Sequence, residues 1–170
     1  FPQRWLDDAV FVPGNCDPPS LVGIDMEGAR CIHGLHEVFQ DVTLVGVGGG
    51  LVSPFHTPFE LTEEEVADAL NRGLEHAPIR RWLVLVSHHP PKGTRADVAS
   101  TGGHIGSVSV RRFIEEKKPH AVFCGHIHES RAVDRIGRTL VVNPGPAKHG
   151  CCALADFDDE KIRVKLDHLY

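Results

Sequence analysis

The chain of 170 residues is long enough for one domain with a real core and hardly for two. Its apolar (41%) and charged (24%) fractions are those of a globular protein, and a net charge of −5 without a basic stripe argues against general nucleic-acid or anionic-membrane binding. No apolar run approaches ~20 residues and the start carries no signal-peptide pattern, so a cytoplasmic location is expected.

The five cysteines are scattered apart from Cys151 and Cys152, and they form neither a disulfide framework nor a Cys-x-x-Cys zinc pattern. The twelve histidines are more numerous than composition requires, and several stand in loops after strands. Phe1 opens the chain without a methionine, which fits a fragment or part of a longer protein.

In chain order, Val10-Phe11-Val12 reads as a short strand ended by the turn residues Pro13 to Pro19. Asn15 and Asp17 there serve either as turn formers or as functional oxygens. Cys31 to His33 and Glu37 to Gln40 read as short strands around a turn at Gly34. Val42 to Val47 is a stronger strand, apolar enough to be covered on both faces. Gly48-Gly49-Gly50 and a long loop to Phe59 follow, whose phenylalanines are expected to cover the sheet.

A helix then starts at a capping box, with Thr62 as N-cap and Glu65 three residues on. Val66, Leu70 and Leu74 mark its inner face and Pro78 closes it. The acidic run Glu63 to Glu65 is read as helix-start chemistry rather than a metal site. Trp82 to Val86 is the next buried strand, ended by Ser87-His88-His89-Pro90-Pro91. A loop over 92–106, rich in Gly, Thr and Ser and carrying His104, leads to a second helix over 107–117. Ala121 to Cys124 is a strand running into Gly125-His126-Ile127-His128-Glu129, where the glycine is expected to let the backbone bend. Two hairpins finish the chain, one around Gly137 and one around residues 158–161. Strand-helix-strand units with terminal hairpins predict a single domain of layered α/β (α+β) type with a mixed sheet.

Four strand-end loops carry chemistry: Asn15 with Asp17, His88 with His89, His126 with His128, and Asn143. In open α/β sheets ligands gather beyond the carboxyl ends of the strands. Taken alone, His-x-His reads as two solvated loop histidines; as one of four such loops it reads as a metal motif. Neutral imidazoles with a side-chain oxygen suit Mn, Fe, Ni, Co or Zn better than Ca or Mg. Without paired cysteines, a closed structural zinc site is not expected.

Gly14-Asn15-Cys16-Asp17, Ser87-His88-His89-Pro90-Pro91 and Gly125-His126-Ile127-His128 resemble the later motifs of the calcineurin-like metallophosphoesterases. Asn143-Pro144-Gly145-Pro146 is similar to a loop of the prokaryotic branch, and the stretch from Phe55 to Glu65 resembles its archaeal members. The resemblance runs in order over essentially the whole chain. It implies a β-sandwich of mixed sheets flanked by helices, with two divalent metals at the strand ends. It also implies that Asn15, His88 and His126 bind one metal, that His128 serves the other, and that Asp17 orients the residue before it.

Two departures stand out. Cys16 occupies the place where the family usually has a histidine near the leaving-group oxygen, so the resemblance puts Cys16 with Asp17 among the catalytic positions. A cysteine cannot be a cationic proton donor there, and its plainer role is that of a small packing residue rather than a nucleophile. The family's early D-x-H and G-D motifs, which supply three further ligands, are not found among the thirteen residues before Gly14, and Asp7 and Asp8 stand in no such context. The N-terminal strand-helix units are therefore expected to be missing from this chain, leaving three ligands at one metal site and one at the other. The chain alone is expected to bind metal weakly and to associate through exposed edges, homo-oligomer contacts included. The chemistry implied for the complete protein is hydrolysis of a small phosphomonoester or phosphodiester by a hydroxide held between two metals. His89 and His104 are expected either to contact the phosphate or to orient the ligands and face solvent. The rival reading is a non-catalytic binding module, as in the retromer subunit that shares this fold.

Overall fold

The near-continuous apolar runs at Val42–Val47 and Trp82–Ser87 become neighbouring central strands, as expected where both faces of a sheet are covered. The computed structural model describes residues 9–26 and 28–169, and Asp7 and Asp8 lie outside the described residues. The strands are β1 (Ala9–Phe11), β2 (Asp25–Met26), β3 (Ala29–Cys31), β4 (His36–Phe39), β5 (Val42–Val47), β6 (Gly50–Leu51) and β7 (Glu60–Leu61). Helix α1 (Glu63–Leu74), strand β8 (Trp82–Ser87), helix α2 (Val108–Lys117) and strand β9 (Ala121–Phe123) follow. Strands β10 (Ala132–Ile136), β11 (Thr139–Asn143), β12 (Cys151–Phe157) and β13 (Ile162–His168) complete the set.

The largest sheet has the order β10-β11-β9-β8-β5-β4. Its four inner strands run parallel, while β4 and β10 close the edges antiparallel to their neighbours. All four inner strands therefore deliver their carboxyl ends to the same side. A smaller sheet, β1-β3-β2, joins this one through a parallel bridge between His33 and Gly46. A β-carbon on Gly46 would lie 2.4 Å from the Ile32 carbonyl oxygen, so only glycine allows that approach.

Side chains of the inner strands alternate between two cores. Leu83, Leu85, Val45, Val47 and Val122 pack with Val66 and Leu70 of α1 and Val110, Phe113 and Ile114 of α2. Trp82, Val84, Ala121 and Leu140 pack on the opposite face, against Phe157, Ile162 and Val164 of the β12–β13 hairpin. Each such side chain, fully buried, contributes about 1.5–3 kcal/mol. The result is a layered mixed α/β fold with helices on one face and strands on the other. Among the described residues, no helix is long and apolar enough to cross a membrane.

Helix α1 starts at the expected capping box, with Thr62 Oγ1 accepting from Glu65 N–H and Glu65 reaching back to Thr62 N–H. Glu63 departs from simple helix-start chemistry, because its carboxylate accepts from Val108 N–H, Ser109 N–H and the Ser107 hydroxyl. The first turn of α1 thus caps the start of α2. The long loop after β5 is closed at its base by parallel pairing of β6 with β7. Its phenylalanines divide: Phe59 is buried and tilts against His33, whereas Phe55 is 84% exposed and covers nothing.

Candidate metal centre

Strands β1, β8 and β9 each end in a loop at one edge of the fold, and three side chains from those loops meet. His88 Nε2 lies 3.0 Å from Asn15 Oδ1 and 3.1 Å from His126 Nδ1, and His126 Nδ1 lies 3.2 Å from Asn15 Oδ1. Each of the three presents a lone pair in the tautomer that leaves these two ring nitrogens unprotonated. Ligands about 2.1 Å from one ion, at octahedral to tetrahedral angles, stand about 3.0–3.4 Å apart. The triangle has those dimensions, and its imidazole-plus-oxygen chemistry fits a borderline divalent ion. Among the described residues no group of three or more His, Cys, Asp or Glu is placed to hold a metal; this cluster holds two histidines, and an amide supplies the third donor.

The electrostatics suit the same role. Burial, and then the neighbouring His126, push His88 down to about 4. Burial, and then His128, lower His126. Both imidazoles are therefore neutral near pH 7 with lone pairs available, the form that binds a metal.

Glycines set the triangle's tightness. A β-carbon on Gly14 would lie 2.8 Å from His88 Cε1, and one on Gly50 would lie 2.6 Å from Asn15 Cβ. The Asn15 carbonyl accepts from Phe59 N–H, so the long loop also holds this residue in place. Gly125, expected to carry the bend, is not in the left-handed region; His126 itself is, at φ 66°. A non-glycine residue there is strained, and such strain concentrates at functional sites. Ile127 N–H bonds back to the Gly125 carbonyl and tightens the turn.

The other expected residues are spread around this centre. His128 is exposed, outside the triangle. Cys16 is exposed, so it does not have the packing role read from the sequence. Asp17 accepts from Gly14 N–H at 2.7 Å and closes the turn that carries Asn15. His89 is buried, with its ring 4.3 Å from that of His126 and its Nδ1 left unpartnered. Burial, and then His126 and His88, push it down to about 3, so it packs as a neutral ring against a ligand. Asn143 is fully buried and structural: Nδ2 donates to the carbonyls of Ala96 and Ile127, and Oδ1 accepts from Gly145 N–H. It pins the His126 turn to the loop over 92–106 instead of joining the triangle.

That loop contains a residue that strand-end reasoning does not single out. Asp97 is fully buried and accepts from the backbone N–H groups of Gly93, Thr94 and Gly106, and from His104 Nδ1 at 2.7 Å. Burial opposes its charge, but the His104 imidazole and the backbone donors outweigh it and hold the carboxyl below its usual range. A Thr-x-x-Asp pattern opening a Gly-rich loop was the available signal.

Residues 7–166 match the metallophosphoesterases of the calcineurin superfamily. An uncharacterised protein of Methanocaldococcus jannaschii is 37% identical over 164 residues, covering 94% of this chain and 72% of that protein. One solved crystal structure is similar with a TM-score of 0.73 at 24% identity, over 95% of this chain and 65% of its own. The crystal structure of TT1561 of Thermus thermophilus is similar with a TM-score of 0.64 at 16% identity, over 95% of this chain and 72% of its own. The chain thus spans 65% to 72% of the length of these proteins.

Proposed function

Since the chain belongs to the calcineurin superfamily of metallophosphoesterases, we propose that the protein hydrolyses a small phosphomonoester or phosphodiester, with Asn15, His88 and His126 holding one divalent ion. Members of the superfamily generally use two divalent metal ions, and exposed His128 is the residue offered toward a second. Mn, Fe, Ni, Co or Zn suits this donor set. The convergence of three lone-pair atoms within 3.0–3.2 Å is the observation that carries the reading.

Bound ions of this kind supply Lewis acidity, drawing charge from the phosphoryl group and acidifying water near neutral pH. The chain's own residues do the rest. Asp17 and Gly14 fix the turn that aims the Asn15 amide oxygen. His89 backs the His126 ring and restricts its orientation, as supports around metal ligands do. The loops over 48–59 and 92–106 flank the centre and are the walls that select among esters.

Full-length protein assayed on p-nitrophenyl phosphate and bis(p-nitrophenyl) phosphate with added Mn²⁺ tests this. Turnover is expected, with a loss of about 100-fold or more in His126→Ala. Equal turnover by that variant overturns the assignment. Metal binding without hydrolysis of either ester supports a binding module instead.

A further inference from the structure

The loop over 92–106 folds back as a hairpin in which Val98 faces His104. At its base the Asp97 carboxylate is fully buried and receives four hydrogen bonds, three from backbone and one from the His104 ring at 2.7 Å. An ionised carboxylate only accepts, so the imidazole donates from Nδ1 and its Nε2 is the atom free to act. The His104 side chain keeps 47% of its exposure while its partner has none. A buried acid orienting an accessible imidazole is the arrangement that fixes a tautomer for proton transfer.

The dyad is also tied to the metal turn on both sides of Asp97. Ala96 shares the Asn143 amide with Ile127, the residue between His126 and His128. The Val98 carbonyl accepts from the Ser130 hydroxyl. Beyond it, Ser100 N–H donates to Glu129 Oε1 at 2.7 Å. Gly106, two residues after His104, is so close to the Pro90 carbonyl that a β-carbon there would lie 2.7 Å away. The hairpin is thereby fastened to both histidine-bearing loops.

We propose that His104 donates the leaving-group proton in phosphate-ester hydrolysis and that Asp97 is its positioning residue. This rests on the hydrolase reading above. As the oxygen of water forms its bond to phosphorus, the ester P–O bond breaks. One proton passes from Nε2 of His104, in its imidazolium form, to the departing oxygen. The proton lost by the water returns to His104 through solvent, so the imidazolium is restored. Substrates whose leaving group is a poor one, an alkoxide, are those this device serves.

The test compares ethyl phosphate with p-nitrophenyl phosphate in the full-length, metal-loaded protein. In His104→Gln the fall in kcat is expected to be about 100-fold larger on the ethyl ester, since only the alkoxide needs the proton. Asp97→Asn is expected to move the same ratio the same way by about 10-fold. A ratio of rates does not depend on how much of a variant is folded, so a merely structural role of Asp97 leaves it at the wild-type value. Equal losses on both esters in His104→Gln, or a wild-type ratio in Asp97→Asn, overturn the dyad while the hydrolase reading stands. Wild-type protein inactive on both of these and on bis(p-nitrophenyl) phosphate overturns the hydrolase reading and the dyad with it, and turnover of the diester without any of ethyl phosphate overturns the dyad alone.

Discussion

The His88 imidazole rests on the bare backbone of Gly14, with room for no β-carbon: one placed there would lie 2.8 Å from His88 Cε1. Gly14 is outside the left-handed region, so its backbone accepts other residues and the constraint is the ring alone. Gly14→Ala is therefore expected to displace a metal ligand with little cost to the fold. Titration calorimetry with Mn²⁺ on metal-stripped protein should show affinity about 10-fold weaker, with the melting temperature nearly unmoved. An unchanged affinity would remove His88 from the ligand set.

Glu63 links the two helices more directly than their packing does. Its carboxylate takes two backbone N–H groups and a hydroxyl at the start of α2, and its own carbonyl accepts from Ser109 Oγ. Glu63→Ala leaves those donors without a charged partner and is expected to cost about 2 kcal/mol. Urea denaturation reads this as a lower midpoint at constant slope. A shift within about 0.5 kcal/mol, the range of an ordinary surface substitution, would count against the cross-helix cap.

How much of this is legible in the sequence depends on how local each cause is. Asn15, His88 and His126 are readable because each follows an apolar run and is itself a ligand type; only their meeting needs three dimensions. The capping box at Thr62 and Glu65 is equally local. Asp97 and Glu63 are harder, since beyond the local Gly93 and Thr94 the partners of Asp97 come from His104 and Gly106, and those of Glu63 come from another helix. Nothing near Asp97 in the chain says that its carboxylate is buried. Nor does Gly125 announce that the strained residue is its neighbour His126, because glycine is where such strain is usually relieved. Phe55 and Phe59 look alike in the sequence, and one is exposed while the other is core.

Asn143 gives a sharper test than a ligand does. It donates to two carbonyls and accepts from one N–H, all with no exposure. Asn143→Asp keeps the shape and loses both donations, leaving a buried charge facing carbonyl oxygens. The expected cost is about 3 kcal/mol or more, with metal affinity falling too because Ile127 is released beside His126. If Asn143→Asp melts like wild type, the amide is not the pin between the two loops.

Acid sensitivity of the metal-stripped protein follows from the buried histidines. His88 is held at about 4 and His89 at about 3, each down from 6.5 and chiefly through burial. Above 6.5 both are neutral whether the chain is folded or not, and they contribute no slope. Below it the unfolded chain takes up protons that the folded chain refuses, so stability falls as pH falls, by up to about 1.4 kcal/mol per pH unit for each ring. The loss ends for each ring near its folded value. Asp97 and Glu63, both held below the usual carboxylate range, stabilise above their unfolded values. That contribution is lost as pH falls through their lowered values, so their part comes later in the titration. Urea midpoints in chelator should decline from pH about 6.5 down to about 4. His89→Phe, which keeps a ring against His126 and removes one titrating group, should make that decline shallower over its whole range, since the His89 contribution runs down to about 3. A wild-type profile level over this range would mean that the histidine cluster takes up protons while folded, and that these rings are not the neutral donors described above.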